Sequence, residues 1–303
     1  MAAVLKTPKY TNLVYDVGLH RGEDTDFYLR KGFQVVAFEA NPELAQHCRS
    51  RFHEFISQGQ LRIVEGAVVE RGVLESGESR IRFYSNQSGS TWGTVRSEWA
   101  DRNERLGTSI SIIEVDVIDF AAVLEQNGIP HYMKIDIEGC DTVCLNALKK
   151  FSERPDYVSI ESTKTSFAGI RCEIDLLTSL GYDSFQAIEQ MDIPHTQSPP
   201  EPAKEGTYVD HRFERGSSGL FGAELGGQWR SRRDILRQYR PIYLGYRLLG
   251  DDGTLYRWQF RGASRLRRSA KRLLERINGA TVPGWYDTHA RLAGAEKKQH
   301  PRA

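Results

Sequence analysis

Apolar runs of strand length alternate with segments of helical periodicity through the first two thirds of the chain. "NLVYDVG" reads as a first strand, and "EDTDFYLRKG" as a short helix that packs through Phe27, Tyr28 and the stem of Lys31. "QVVAFEA" is a second strand, and "NPELAQHCRSRFHEFI" a helix opened by Asn41 as cap and Pro42 in its first turn. "LRIVEGAVV" is a third strand. A period-2 pair, "SRIRFYSN" and "TSISIIEVDV", flanks the polar "QSGSTWGTV" and predicts an inserted hairpin or lid. Ser88, Ser90 and Thr91 in that loop are of a type that hydrogen-bonds ligand hydroxyls. "YMKIDIEG" and "DYVSIES" are further strands, with "FAAVLEQNG", "CDTVCLNALKKF" and "EIDLLTSLGY" as helices between and after them. Repeated strand–helix units of this length predict an α/β fold, a Rossmann-like, doubly wound, mostly parallel sheet covered on both faces. Ligands of such sheets bind beyond the carboxyl ends of the strands, near the point where strand order reverses.

The pattern changes after "DIPHTQSPPEPAKEG", where four prolines fall between residues 194 and 202. The expected organisation is a ligand-binding domain over residues 1–192 and an irregular C-terminal extension over 193–303 that covers the substrate side. Near residues 262–278 the extension carries a basic amphipathic helix. Leu266, Ala270, Leu273, Leu274 and Ile277 recur at helical spacing among Arg257, Arg261, Arg265, Arg267, Arg268, Lys271, Arg272 and Arg276. Such a helix docks its apolar stripe on its own chain or lies on an anionic membrane surface. RNA is the less suitable partner, because few aromatics are interleaved for stacking.

Composition adds limits. Of 303 residues, 39% are hydrophobic and 27% charged, which suits a packed core. Lysine plus arginine (41) nearly balances aspartate plus glutamate (40), which argues against a general nucleic-acid coat. Cys48, Cys140, Cys144 and Cys172 match no metal-ligand pairing and no dense disulfide framework. "MAAVLKTPKY" lacks the apolar core of a signal peptide, so the expected setting is soluble, reducing and cytoplasmic.

The chemistry starts at Asp16-Val-Gly18-Leu-His20-Arg-Gly22. A dinucleotide site needs a third glycine and bare amides for the pyrophosphate. Here an acid stands at the strand end, which repels phosphate and suits a ligand tail bearing an ammonium and a sulfonium. S-adenosylmethionine has that tail, and its ribose diol matches a second acid, Glu39, placed 23 residues after Asp16. An NAD-linked oxidoreductase is the competing reading.

Together, "DVGLHRGEDTDFYLRKG", "VVAFEANP", "MKIDIEGCD" and "PDYVSIES" resemble the FkbM-type S-adenosylmethionine-dependent methyltransferases over about residues 10 to 190. The resemblance implies a class I methyltransferase fold and O-methylation of a hydroxyl on a sugar, glycan or natural product. It implies that Asp16, Gly18 and Gly22 line the methionine end, that Glu39 takes the ribose hydroxyls and that Asn41 shapes the adjacent turn. Gly66 and Ala67 would approach the adenine, and Asp116 is placed to touch the cofactor region or to be a surface acid. One departure is His20, where the family often has Asn, so a turn hydrogen bond is altered.

Methyl transfer to an alcohol needs a group that accepts the hydroxyl proton. Asp136 and Glu138 at the end of "KIDIEG" are the first candidates, either as base or as electrostatic support beside the sulfonium. His211, in the Gly/Ser-rich "YVDHRFERGSSGLFG", is a further candidate base or a surface histidine. Asp136 with Glu161 admits Mg²⁺, although two carboxylates leave a six-oxygen shell unfilled. A third functional class is a non-catalytic module that acts through the basic C-terminal helix.

Overall fold

The computed structural model describes residues 4–86, 93–105, 108–137, 139–163, 166–250, 253–254, 263–278 and 284–295. Ten strands are present among them: β1 (Lys9–Val17), β2 (Gln34–Glu39), β3 (Leu61–Glu65), β4 (Ala67–Val68), β5 (Arg80–Asn86), β6 (Ile110–Ile118), β7 (Ile129–Ile135), β8 (Tyr157–Glu161), β9 (Tyr182–Glu189) and β10 (Tyr286–Leu292). The α-helices are α1 (Glu23–Arg30), α2 (Pro42–Arg51), α3 (His53–Ser57), α4 (Arg71–Glu75), α5 (Ser97–Arg105), α6 (Phe120–Asn127), α7 (Asp141–Leu148), α8 (Phe167–Ser179), α9 (Ile193–Thr196), α10 (Arg232–Leu249) and α11 (Ala263–Asn278).

Seven strands form the central sheet in the order β3-β2-β1-β7-β8-β10-β9. β1, β2, β3, β7 and β8 run parallel, while β10 is antiparallel to both of its neighbours. β7 is buried along its whole length, as a central strand covered on both faces must be. Strand order reverses between β1 and β7, which makes the carboxyl ends of β1, β2 and β7 the expected ligand crevice. The period-2 pair forms the anticipated antiparallel hairpin, β5 with β6, joined by β4 in a small second sheet. Ser88, Ser90 and Thr91 of its connecting loop lie outside the described residues.

Alternation along the strands divides the core in two. One face sends Tyr15, Val17, Met133, Ile135, Val158 and Ile160 against Phe120, Leu124, Leu145, Leu148, Ile174 and Tyr239 of α6, α7, α8 and α10. The other sends Val14, Tyr132 and Tyr157 against Phe27 and Tyr28 of α1 and against Phe213, Phe221 and Leu225. Phe221 stacks on Tyr132 with ring centroids 4.6 Å apart.

The division expected at residue 192 is therefore not a packing boundary. Residues 193–303 supply a strand inserted between β8 and β9 and part of the layer over the α1 face. Local pattern does not reveal where this antiparallel strand pairs, because its partners on β8 and β9 are remote in the chain. Lys31, read as a stem, is buried to its tip. Its Nζ bonds Glu224 at 2.7 Å and the Thr207 carbonyl at 3.1 Å, which ties α1 to the C-terminal segment.

A second buried ion group fastens the same segment to the sheet. His131 on β7 bonds Asp156 through Nδ1 and Glu205 through Nε2, each at 2.9 Å, and Lys9 reaches Asp156 at 2.5 Å. Burial disfavours the imidazolium, but hydrogen bonds and charge from both acids win and raise His131 to about 9. Its folded pKa thus lies above the ordinary 6.5, so the stabilisation is complete below that value and fades as pH rises through about 9. Thermal unfolding followed across this alkaline window should show a loss on the order of 2–3 kcal/mol in the native protein. The His131→Gln variant should be less stable throughout and flat across the same window.

Candidate active site

A cleft opens at the carboxyl ends of β1, β2 and β7, bounded on one side by the β5–β6 hairpin. Its walls fall into three chemical zones. Phe38, Ala67, Val68, Phe83 and Val95 make an apolar slot at the hairpin end. Glu39 and Asn41 stand at the middle, and His20, Glu23, Asp24, Lys134 and Asp136 surround the far end with Gly18 and Gly216.

Two glycines make the cleft possible. Gly18 has φ +100° and directs its backbone at Asp136, so that any Cβ would collide with the Asp136 carbonyl oxygen. Gly66 has φ +138°, and a Cβ there would stand 2.6 Å from the Asp116 carbonyl oxygen. Both glycines, with Ala67, line the cleft. Gly22 does not. It is the left-handed cap of α1 and packs on Phe52, so its part is to set the helix angle.

Glu39, at the end of β2, accepts from the His20 amide through Oε2 and from the Asn41 amide through Oε1, both at 2.8 Å. Each oxygen takes one amide and keeps further acceptor capacity, and the residue lines the cleft, which suits a diol. Burial raises this carboxyl to about 7, against the pull of the two amides. Asn41 caps α2 by accepting from the Glu43 amide at 2.9 Å and donates to Ser85 Oγ at 3.3 Å, linking β2 to the hairpin. His20 holds φ 51°, a left-handed conformation that His and Asn tolerate better than most residues. The family's usual Asn and this His thus answer one backbone demand, and Nδ1 of His20 adds a 2.8 Å contact to Glu23.

Asp16 has a different place from the one expected. It is fully buried beneath the cleft and does not line it. Its Oδ2 accepts from Thr25 Oγ1 at 2.7 Å and its Oδ1 from Lys134 Nζ at 3.1 Å. Lys134 also donates to the Gly18 carbonyl at 3.0 Å and stands 3.4 Å from Asp24. Burial alone would discharge the Lys134 ammonium, but the charges of Asp16, Asp24 and Asp136 outweigh it and hold its pKa well above the usual range. The acids facing the cleft at this end are Glu23, Asp24 and Asp136. Asp24 accepts the Ser218 amide with both oxygens, at 2.9 and 3.1 Å, and burial raises it to about 7 despite Lys134.

The remaining predicted residues separate. Asp136 lines the cleft. Glu138 lies outside the described residues. Asp116 touches the region through its backbone beside Gly66, while its carboxylate is exposed and faces Arg80 at 3.5 Å. His211 is on the far side of α1, against Phe27 and Arg30, and does not line the cleft. Glu161 is also absent from the cleft wall, and no group of three or more His, Cys, Asp or Glu among the described residues is arranged to hold a metal. Mg²⁺ between Asp136 and Glu161 therefore finds no support.

Several lining residues escaped the sequence reading. Asp24 had a usable signal, an acid in the first helical turn after a glycine turn. So did Lys134, which the alternation of the strand places on one face with Asp136. Phe83 had none, whereas Val95 and Gly216 belong to the inserted loop and the C-terminal extension, both expected over the ligand side; which of their residues reach the cleft was set by tertiary folding.

The match to known proteins follows this geometry. Residues 16–190 match the methyltransferase FkbM domain family. The chain belongs to that family, and it is an S-adenosylmethionine-dependent methyltransferase with the class I strand arrangement. Membership decides between the two enzyme readings in favour of methyl transfer and against NAD-linked oxidation. No curated protein matches the sequence significantly. Among solved structures, a SAM-dependent methyltransferase from Archaeoglobus fulgidus is similar at 11% identity and TM-score 0.37, over 93% of this chain and 86% of that one. One from Thiobacillus denitrificans, in complex with S-adenosyl-L-homocysteine, gives 9% identity and TM-score 0.33 over 94% and 86%. A precorrin-6y C5,15-methyltransferase from Geobacter metallireducens GS-15 gives 10% and 0.34 over 69% and 77%. These likenesses are distant, and the fold assignment rests on the strand order itself.

The cleft fits the cofactor on its own chemistry: an apolar slot for a base, a buried carboxylate for a diol and acids for a cationic tail. Since Glu39 titrates near 7 and hydroxyls donate best to its ionised form, ligand affinity should rise with pH through that value. Calorimetry with S-adenosylhomocysteine should show binding weakening about five- to tenfold between about pH 8 and about pH 6. Glu39→Gln should bind more weakly and show a shallower slope, the remainder coming from Asp24, which burial also raises to about 7.

Proposed function

We propose that the enzyme transfers the methyl group to a hydroxyl oxygen of a small-molecule acceptor, a sugar or glycan intermediate or a related polyhydroxylated natural product, with Asp136 receiving the hydroxyl proton. The observation that carries this reading is the position of Asp136 on the cleft wall, with its backbone against Gly18. An in-line attack on the sulfonium methyl needs the nucleophilic oxygen at near-attack distance and a carboxylate within reach of its proton.

Carboxylates line this end of the cleft, Glu23, Asp24 and Asp136, and the hydroxyls of an acceptor find hydrogen-bond acceptors there. The sugar class also follows the hydroxyl acceptors of understood family members. The four free thiols, two of them in and before α7, suit a reducing, cytoplasmic setting.

Labelled-methyl transfer from S-adenosylmethionine, screened against mono- and oligosaccharides and against amines, tests the reading. Asp136→Asn should lower kcat by about 10²- to 10⁴-fold while the affinity for S-adenosylhomocysteine changes little. Transfer to amines with none to hydroxyls would remove the acceptor assignment, and an unchanged kcat in Asp136→Asn would remove the base.

A further inference from the structure

Charge is strongly segregated in this chain. α10 carries five arginines against Asp234, and α11 carries six basic residues against Glu275, although the net charge of the whole protein is only +1. The two helices pack against each other, and α10 lies on α8 and β9, away from the cleft wall.

The exposed face of α10 is built at a regular spacing. Arg233, Arg237, Arg240, Leu244 and Arg247 are all exposed and follow one another at intervals of four, three, four and three residues, which places them on a single stripe. At 1.5 Å per residue that stripe is about 21 Å long. Arg237 pairs with Asp234 at 3.3 Å, while Arg233, Arg240 and Arg247 make no ion pair with a described residue. On α11, Arg265, Arg268, Lys271, Arg272 and Arg276 are exposed alongside.

Two large apolar side chains are set within this basic surface. Leu244, between Arg240 and Arg247, is 48% exposed, and Leu273, beside Arg272, is 60% exposed. Leucine at these positions lowers water contact only if something apolar covers it. A polyanion such as RNA offers phosphates but no cover for aliphatic side chains, and its usual stacking partners are aromatic. A bilayer with anionic headgroups offers both: arginines at the phosphate level and leucines inserted at the acyl boundary. No helix among the described residues is long and apolar enough to cross a membrane, so the contact is with the surface.

We infer that the α10–α11 face is a peripheral docking surface for an anionic lipid bilayer, with the arginine stripe of α10 and the basic residues of α11 facing the headgroups and Leu244 and Leu273 as apolar anchors. Each basic residue near such a surface contributes about fivefold in affinity, and the attraction falls within a Debye length, so binding weakens steeply with salt.

Cosedimentation of the full-length protein with vesicles of phosphatidylcholine alone, and of phosphatidylcholine with phosphatidylglycerol, tests the inference. Binding is expected to the anionic vesicles only, and to weaken as salt is raised. The Arg233→Glu, Arg240→Glu, Arg247→Glu triple variant should lose at least about tenfold in vesicle affinity. The Leu244→Gln, Leu273→Gln pair should weaken binding while leaving the salt dependence in place. Circular dichroism and thermal melting of each variant separate a lost surface from a lost fold. Absence of binding to anionic vesicles, equal binding to neutral ones, binding unaffected by the substitutions in folded variants, or binding to RNA without binding to vesicles would each overturn the assignment.

Discussion

One buried ammonium group organises the ligand end of this protein. Lys134 sits in the middle of the sheet with its Nζ between Asp16, Asp24 and the Gly18 carbonyl. Each contact comes from a different part of the chain: β1, the first turn of α1 and the glycine turn between them. Removing the ammonium would leave buried acids facing one another, a loss that commonly costs several kcal/mol. Because Asp24 also accepts the Ser218 amide, the same group reaches the C-terminal segment. The position of Gly18 beside Asp136, and so of the candidate base beside the ligand end, depends on that arrangement.

This arrangement changes what the strand-end acid does. Asp16 is not an open carboxylate waiting for a cationic tail; its negative charge is used internally, to hold Lys134. The acids that line the cleft are Glu23, Asp24 and Asp136, with Glu39 at the end of β2. The electrostatic logic read from the turn survives, since the cleft is acid-lined at that end, but it acts through neighbours of the residue that announced it.

Buried polar attachments bind the C-terminal segment into the fold, among them Lys31 to Glu224, His131 to Glu205, Asp24 to the Ser218 amide, and Ser162 to Tyr239 and Thr288. β10 adds a further tie by completing the sheet between β8 and β9. A segment that looks irregular in sequence therefore closes one face of the domain, and the aromatic stack of Phe221 on Tyr132 supplies the apolar part of that closure.

By itself, the sequence determined the elements whose signals are local. Alternating apolar runs and helical periodicity located the parallel strands and their helices, the Asn41–Pro42 cap opened α2, and the period-2 pair marked the β5–β6 hairpin. Gly18, Gly66, Glu39 and Asp136 were legible because backbone conformation and strand-end position restrict which residue types occur there. Tertiary structure alone decided whether a polar side chain faces ligand or protein, as with Asp16, Asp116 and His211, because the choice depends on partners elsewhere in the chain. It also decided that β10 enters the sheet antiparallel and that Phe83, Val95 and Gly216 reach the cleft. Those outcomes follow from burying apolar surface and pairing buried charge across more than a hundred residues, and no local pattern encodes such distances.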